Sequence, residues 1–337
     1  MTPTIDIHSD LLPDELEFER MKLELFTRLD EPVHVAPRRH RSTKRRAFAA
    51  SGLVAAAIVA TLVVANVASP RGASAEAAEV LHSAAFASIH ANDPFVGPGQ
   101  YLKIETTEAA LEFSDHAAYV SSQRVILWVP ADRRDNWVQS RQQLPPGKQY
   151  GDASDSIRED FTGPRADGHK PGDVVLHQSA AGRFISYPLP FAELAALPDN
   201  PDALHDYLYS HVSGDQSKDQ EVYGEIRQLL IYGLVPAKVR GAMYEVLAEI
   251  PGVYLSAGRA NLAGRTGVGI SLLDSSGNYI QQLIIDPMTG LMIGTRDLGI
   301  NAAGTVPAGV SQDWTAVTTS VVDSAPTGPF LTELAPG

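Results

Sequence analysis

"RTGVGISLLDSSGNYIQQLIIDPMTGLMIGTRDL", residues 265–298, decides the architecture of the larger part of this 337-residue chain. It holds three apolar runs, "RTGVGISLLD", "YIQQLIIDP" and "GLMIGTRDL". Only Asp274-Ser275-Ser276-Gly277 and Asp286-Pro287-Met288-Thr289-Gly290 separate them. Turns this tight join neighbouring strands, so the sheet is antiparallel. "GVYLSAG" before and "DWTAVTTSVVD" after read as further strands of the same sheet.

Upstream lies a helical block: "FAELAAL", then "PDNPDALHDYLYSHV" with Asp199 or Asn200 as cap and Pro201 in the first turn, then "SKDQEVYGEIRQLLIYG" and "VPAKVRGAMYEVLAEI". Val239, Met243, Val246, Leu247 and Ile250 in the last keep helical spacing. Before the block, strands are expected in "QYLKIETTE", "SQRVILWVP" and "NWVQSRQQ". In the first of these, Tyr101, Lys103 and Glu105 alternate with Leu102 and Ile104, which marks one wet face. Strands, helices, then strands give an α+β fold, with the helices packed on one curved antiparallel sheet. Residues 144–173, rich in acids, proline and glycine, read as a mobile loop, linker-like or a lid. The domain is expected over 100–323, followed by a disordered tail over 324–337.

Further upstream, "KRRAFAASGLVAAAIVATLVVANVASPRGASA" (44–75) has three readings: a membrane anchor, a cleaved twin-arginine signal, or a buried helix. Residues 47–68 are 22 uncharged residues. At about 1.5 Å per residue they span roughly 33 Å, enough for a bilayer core of about 30 Å. No polar stripe marks a soluble helix. The run also exceeds the about 7–15 apolar residues of a cleaved signal, so a single transmembrane signal-anchor is the expectation. Arg38, Arg39, Arg41, Lys44, Arg45 and Arg46 precede the span and Arg71 alone follows closely. Basic residues stay cytoplasmic, so the N-terminus is expected inside and the large domain outside. Residues 69–99 then form a membrane-proximal helix, "SAEAAEVLHSAAFASIH", and a turn.

The expected cytoplasmic tail, 1–37, carries one amphipathic helix in "SDLLPDELEFERMKLELFTRLDEP", followed by a basic juxtamembrane linker at 38–46. Phe18, Met21, Leu25 and Leu29 form one apolar stripe, and Leu12, Leu16, Leu23 and Phe26 a second. So much apolar face asks for a partner, either a cytoplasmic protein or the membrane surface. A partly folded tail without a ligand is the other reading.

Charge and composition restrict function. Residues 1–46 hold nine acids and nine bases, so the formal charge of −13 falls on the remainder, with 31 acids against 18 bases. Such a domain is ill suited to nucleic acid or anionic lipid. Without cysteine there is no disulfide, thiol nucleophile, lipid-modified cysteine or Cys-containing zinc site. Gly267-Val268-Gly269 opens a strand, so it is no dinucleotide loop. No hydrolase, metalloprotease or P-loop signature occurs. Catalytic, cofactor-binding and metal-binding residues are therefore expected to be none. His205 and His211 read as surface or interface histidines, and Tyr207, Tyr209, Tyr223 and Tyr232 as helix packing. Trp128, Trp137 and Trp314 read as sheet core, or as the lining of any cavity the curved sheet encloses.

The acidic N-terminal helix, the Arg cluster, the Ala/Val span, "EAAEVLHSAA", "LPDNPDALHDYL", "VPAKVRGAMYEVLAEIPGV" and "QLIIDPMTGLMIGTR" together resemble a family of actinobacterial single-span membrane proteins without an assigned function. That architecture is similar to membrane-bound regulators of extracytoplasmic sigma factors. The resemblance implies an exterior like the half-barrel of lipoprotein carriers and of the periplasmic sensor that shares it. It carries over no catalytic residue. Two functions stay open: a regulatory or sensing protein whose outer domain is coupled to the tail, or a membrane-tethered binder of apolar ligands or envelope components. A zinc-type anti-sigma motif needs ligands that a Cys-free tail lacks, so any sigma-factor contact would be made by helix alone.

Overall fold

The computed structural model describes residues 72–332 apart from 92, 115–116, 156, 158–171, 184–190, 215 and 264. The tail, its Phe18, Met21, Leu25 and Leu29, the basic linker and the expected span at 47–68 lie outside the described residues. Among the described residues no helix is long and apolar enough to cross a membrane.

The fold is α+β, a large curved antiparallel sheet with helices packed on it. Helix α1 (Ala75–Ala91) leads into β1 (Tyr101–Phe113), β2 (Ala117–Pro130), β3 (Asn136–Gln143), β4 (Gln149–Gly151) and β5 (Val174–Ala180). The helical block follows as α2 (Phe191–Ala195), α3 (Pro201–His211), α4 (Lys218–Ile231) and α5 (Ala237–Glu249). The chain then returns to the sheet as β6 (Tyr254–Leu262), β7 (Arg265–Leu273), β8 (Tyr279–Asp286), β9 (Leu291–Gly299), β10 (Ser311–Val322) and β11 (Leu331–Thr332). The order across the sheet is β11-β5-β3-β2-β1-β10-β9-β8-β7-β6, with β4 on β2. Two meanders, one from each end of the domain, therefore join along the β1–β10 ladder. Among the described residues only β11 on β5 runs parallel.

The sequence sets these elements locally. Asn200 caps α3, its side-chain oxygen accepting from the Ala203 amide at 3.1 Å, with Pro201 in the first turn. Ser217 caps α4 in the same way through the Gln220 amide. In the 274–279 turn the Asp274 carboxylate accepts from the amides of Ser276, Asn278 and Tyr279.

One face of the sheet carries the main core. Leu102, Ile104, Leu127, Ile270, Leu283, Ile285 and Val317 point to the helices and meet Tyr223, Ile226, Met243, Tyr244 and Leu247. The opposite face holds a smaller cluster of Ala109, Leu111, Val120, Tyr150, Ile284 and Trp314. Tyr150 belongs to β4, whose ladder to β2 ties down the start of the segment expected as a mobile loop. Burying that ring against Trp314 and Val120 is what orders it. Similarly β11 adds to the free edge of β5, inside the tail expected to be disordered.

Helix α1 is part of this core rather than a spacer before it. Ala77, Leu81, Ala84 and Ser88 are fully buried, at i, i+4, i+7 and i+11, and lie along α5. The chain enters the domain already bonded: the Ala73 amide donates to the Ala248 carbonyl at 3.0 Å and the Ser74 amide to the Val253 carbonyl at 2.7 Å. At the other end of α1, Ser88 Oγ and Tyr244 OH both donate to the Gly290 carbonyl. Gly290 has φ +64°, and a Cβ there would stand 2.4 Å from the Ala84 carbonyl oxygen. Only glycine lets the β8–β9 turn tuck beneath the helix.

Candidate functional site

Cross-strand register places the site. Along β1, Glu108 lies on the same face as Leu102, Ile104 and Thr106, the face turned to the helices. Its partner on β10 is Thr315, and Thr315 in turn opposes Thr295 on β9. One step along, Asp313 of β10 opposes Asp297 of β9, and Asp297 opposes Gln281 of β8. Helix α4 crosses above these rows. Tyr223, Ile226 and Leu230 of α4 enter the core, which leaves Gly224, Glu225 and Gln228 facing a cavity of about 830 Å³. Tyr207, Leu208 and His211 of α3 close its side. A smaller space of about 170 Å³ continues from Glu108, Ile231 and Tyr232 under β1–β3, past Thr106, Gln139 and Arg141.

The lining is polar and acidic. Glu108, Glu221, Glu225, Asp297 and Asp313 share the lining with one guanidinium, that of Arg227. Arg227 donates from Nη2 to Asp297 Oδ1 at 2.5 Å. Burial still holds the Asp297 carboxyl above its ordinary range, Arg227 opposing and Asp274 reinforcing the rise. Glu108 accepts from Gln123 Nε2 at 2.6 Å. Thr295 and Thr315 bond to each other, hydroxyl to hydroxyl, at 3.0 Å. Asp313 is wetted by the cavity yet flanked by protein. Its carboxyl is pushed up to about 6, first by burial, then by the charges of Asp297 and Glu108, with Arg227 pulling the other way. Burial also raises Glu225.

The expected residues are distributed differently. The three tryptophans line neither space: Trp137 is in the main core, Trp314 in the opposite-face cluster, and Trp128 is buried beside Lys103 in register. Their cavity role is overturned, because register turns them to core or to the far face. Of the tyrosines, Tyr207 and Tyr232 reach the cavity. Tyr223 is core, its hydroxyl shared between the Ile270 and Gln281 carbonyls, and Tyr209 donates to Asp219. His205 stacks on Tyr209, while His211 stacks on Tyr207 at the cavity wall. The carboxylates of the site were missed, since each is an isolated acid in its own strand or helix. The one available signal was alternation, which sets Glu108 on the face of Leu102 and Ile104.

No family model and no curated protein matches the sequence. Among solved structures, the chain is similar to MucB, at 15% identity and a TM-score of 0.30, covering 77% of this chain and 62% of that one. It is also similar to a chain of the Pseudomonas aeruginosa MucA/MucB complex, at 14% identity, a TM-score of 0.28, and 75% and 59% coverage. A third is the LolA superfamily protein NE2245 from Nitrosomonas europaea, at 10% identity, a TM-score of 0.16, and 70% and 92% coverage. The chain thus spans about six tenths of the MucB-type chains it matches.

Proposed function

We propose that this protein is a non-enzymatic, single-pass membrane regulator. Its outer domain senses a ligand in the concave cavity and passes the state of that cavity to the N-terminal tail. The observation that supports this reading is the tight entry of the chain into the domain. Residues 47–68 would end three residues before Gly72, and by Ala73 the chain is already bonded to the end of α5. Three residues reach at most about 10 Å even when extended. A tether for an independent binding domain has no need of so short a junction. Contiguous packing runs from the cavity wall in α3 and α4, through α5, to α1 and the point of entry. It is a physical route for coupling once α1 and α5 have two arrangements.

The rival reading, a tethered binder of apolar ligands, asks for an apolar cavity. Five carboxylates and several amides in the lining count against it. The expected orientation, N-terminus inside and domain outside, belongs to the same proposal, as does a cytoplasmic protein docked on Phe18, Met21, Leu25 and Leu29. The test is capture of cytoplasmic protein by the full chain in membranes. Phe18→Asp with Leu25→Asp should abolish capture while membrane insertion persists. A flexible ten-residue insertion between Ala68 and Gly72 should leave capture intact but uncouple it from cavity variants. Capture equal for wild type and the Asp variant would end the regulatory reading.

A further inference from the structure

We propose that the concave cavity binds an organic cation, an alkylammonium or guanidinium ligand with charges spaced along a chain, of polyamine type. This builds on the sensory reading above and supplies the ligand class it leaves open. The cavity, at about 830 Å³, has the size of a small-molecule site, which is about 300–1,000 Å³. It lies under the helical block, on the sheet face where the two meanders meet.

Charge selects the ligand. Five carboxylates arrive from β1, β9, β10 and α4, and the single guanidinium among them is engaged with Asp297. Among the described residues Asp313 and Glu225 receive no hydrogen bond. Asp313 and Asp297 are also direct cross-strand partners, a like-charge pairing that disfavours the sheet and that the one guanidinium of Arg227, bonded to Asp297, offsets only in part. An anion would be repelled here, and an acyl chain would desolvate the carboxylates without compensation. A metal ion fits no better, since among the described residues no three acids or histidines converge closely enough to hold one. The carboxylates are spread too widely for a point charge but suit several cationic groups on one flexible chain. Tyr207 and Tyr232 line the same space, and aromatic faces attract ammonium and guanidinium groups independently of the acids.

The charged groups that act on Asp313 are Glu108 of β1, Asp297 of β9 and Arg227 of α4, while Glu225 and Glu221 of α4 and His211 of α3 line the same cavity. Because the Asp313 carboxyl is raised to about 6, affinity should fall as pH drops through that value and the carboxylate takes up a proton.

The test is titration calorimetry of the full chain in detergent micelles with spermidine, alongside myristate and a neutral polyol. One spermidine per chain is expected at pH 7.5, weakening by pH 5, with no heat from the other two. Asp313→Asn with Glu225→Gln should weaken it by at least about tenfold, whereas Glu79→Gln with Glu112→Gln, on exposed acids outside the cavity, should not change it. No heat with spermidine, equal loss in both double variants, or binding of myristate instead would each overturn the proposal. The tail-capture assay decides the regulatory reading separately. Spermidine binding without capture sinks that reading alone, and capture without spermidine binding sinks this one alone.

Discussion

Replacing Leu81 with alanine probes whether α1 is a structural part of the α+β domain. Leu81 is fully buried between α1 and α5. Truncating a buried leucine costs about 2–5 kcal/mol, the transfer term plus the cavity left behind. The helix has little freedom to collapse into the gap. Its start is bonded to α5 through Ala73 and to the loop after α5 through Ser74, and its end is bonded to Gly290 through Ser88. A loss of about 3–4 kcal/mol is therefore expected, in the middle of that range. For a domain of this size each kcal/mol lowers the melting temperature by about 2–4 °C, so the shift should be about 6–16 °C. Thermal unfolding of the full chain in detergent, followed by circular dichroism, measures it, with Leu16→Ala in the tail as a control expected to leave the transition unmoved. A shift below about 2 °C would refute the packing of α1 and with it the rigid junction on which the regulatory reading leans.

Gly290→Ala should cost at least about 2 kcal/mol, since it combines a left-handed φ with a clash against the Ala84 carbonyl; the same melt reads it. Asn200→Ala, which removes the α3 cap, should cost about 1 kcal/mol and leave spermidine affinity unchanged. Asp313→Asn should act on stability with a definite sign. The folded carboxyl is raised from 3.8 to about 6, so it favours folding in its protonated form, and that contribution is lost as pH rises from about 4 through 6. The variant should therefore melt higher than wild type at pH 7.5 and the same at pH 3.5; a lower melt at pH 7.5 would contradict the crowding of like charges.

The strand–turn–strand run of 265–298 and the helical block were legible because apolar spacing and capping residues there agree with the fold. Other elements were hidden for physical reasons. The first residues of β2, 117–120, are buried on both faces, Ala117 and Tyr119 against Ala153 and Ile157, and Ala118 and Val120 in the cluster with Tyr150 and Trp314, so the period-two alternation disappears. Strand β5, "VVLHQSA", is half-buried on both faces and shows no face to read. The cavity was invisible as a motif. Glu108, Asp297 and Asp313 lie in three strands, and only the pairing of β1 with β10 and of β10 with β9 brings them together. Composition did record the excess of acid, though without saying where it gathers.

The β1–β10 ladder, which runs from Tyr101↔Val322 to Ala110↔Asp313, also sets the order of assembly. Each meander can form from local hairpins as soon as its own strands emerge from the ribosome. The seam between them joins segments some two hundred residues apart in sequence, and contacts that distant are slow to form. Until β10 has been made, β1 presents an unpaired edge along its length, a template for pairing with the wrong chain. A nascent or truncated chain ending before residue 311 would expose that edge permanently. Such fragments should aggregate, whereas a chain that reaches Val322 closes its own seam.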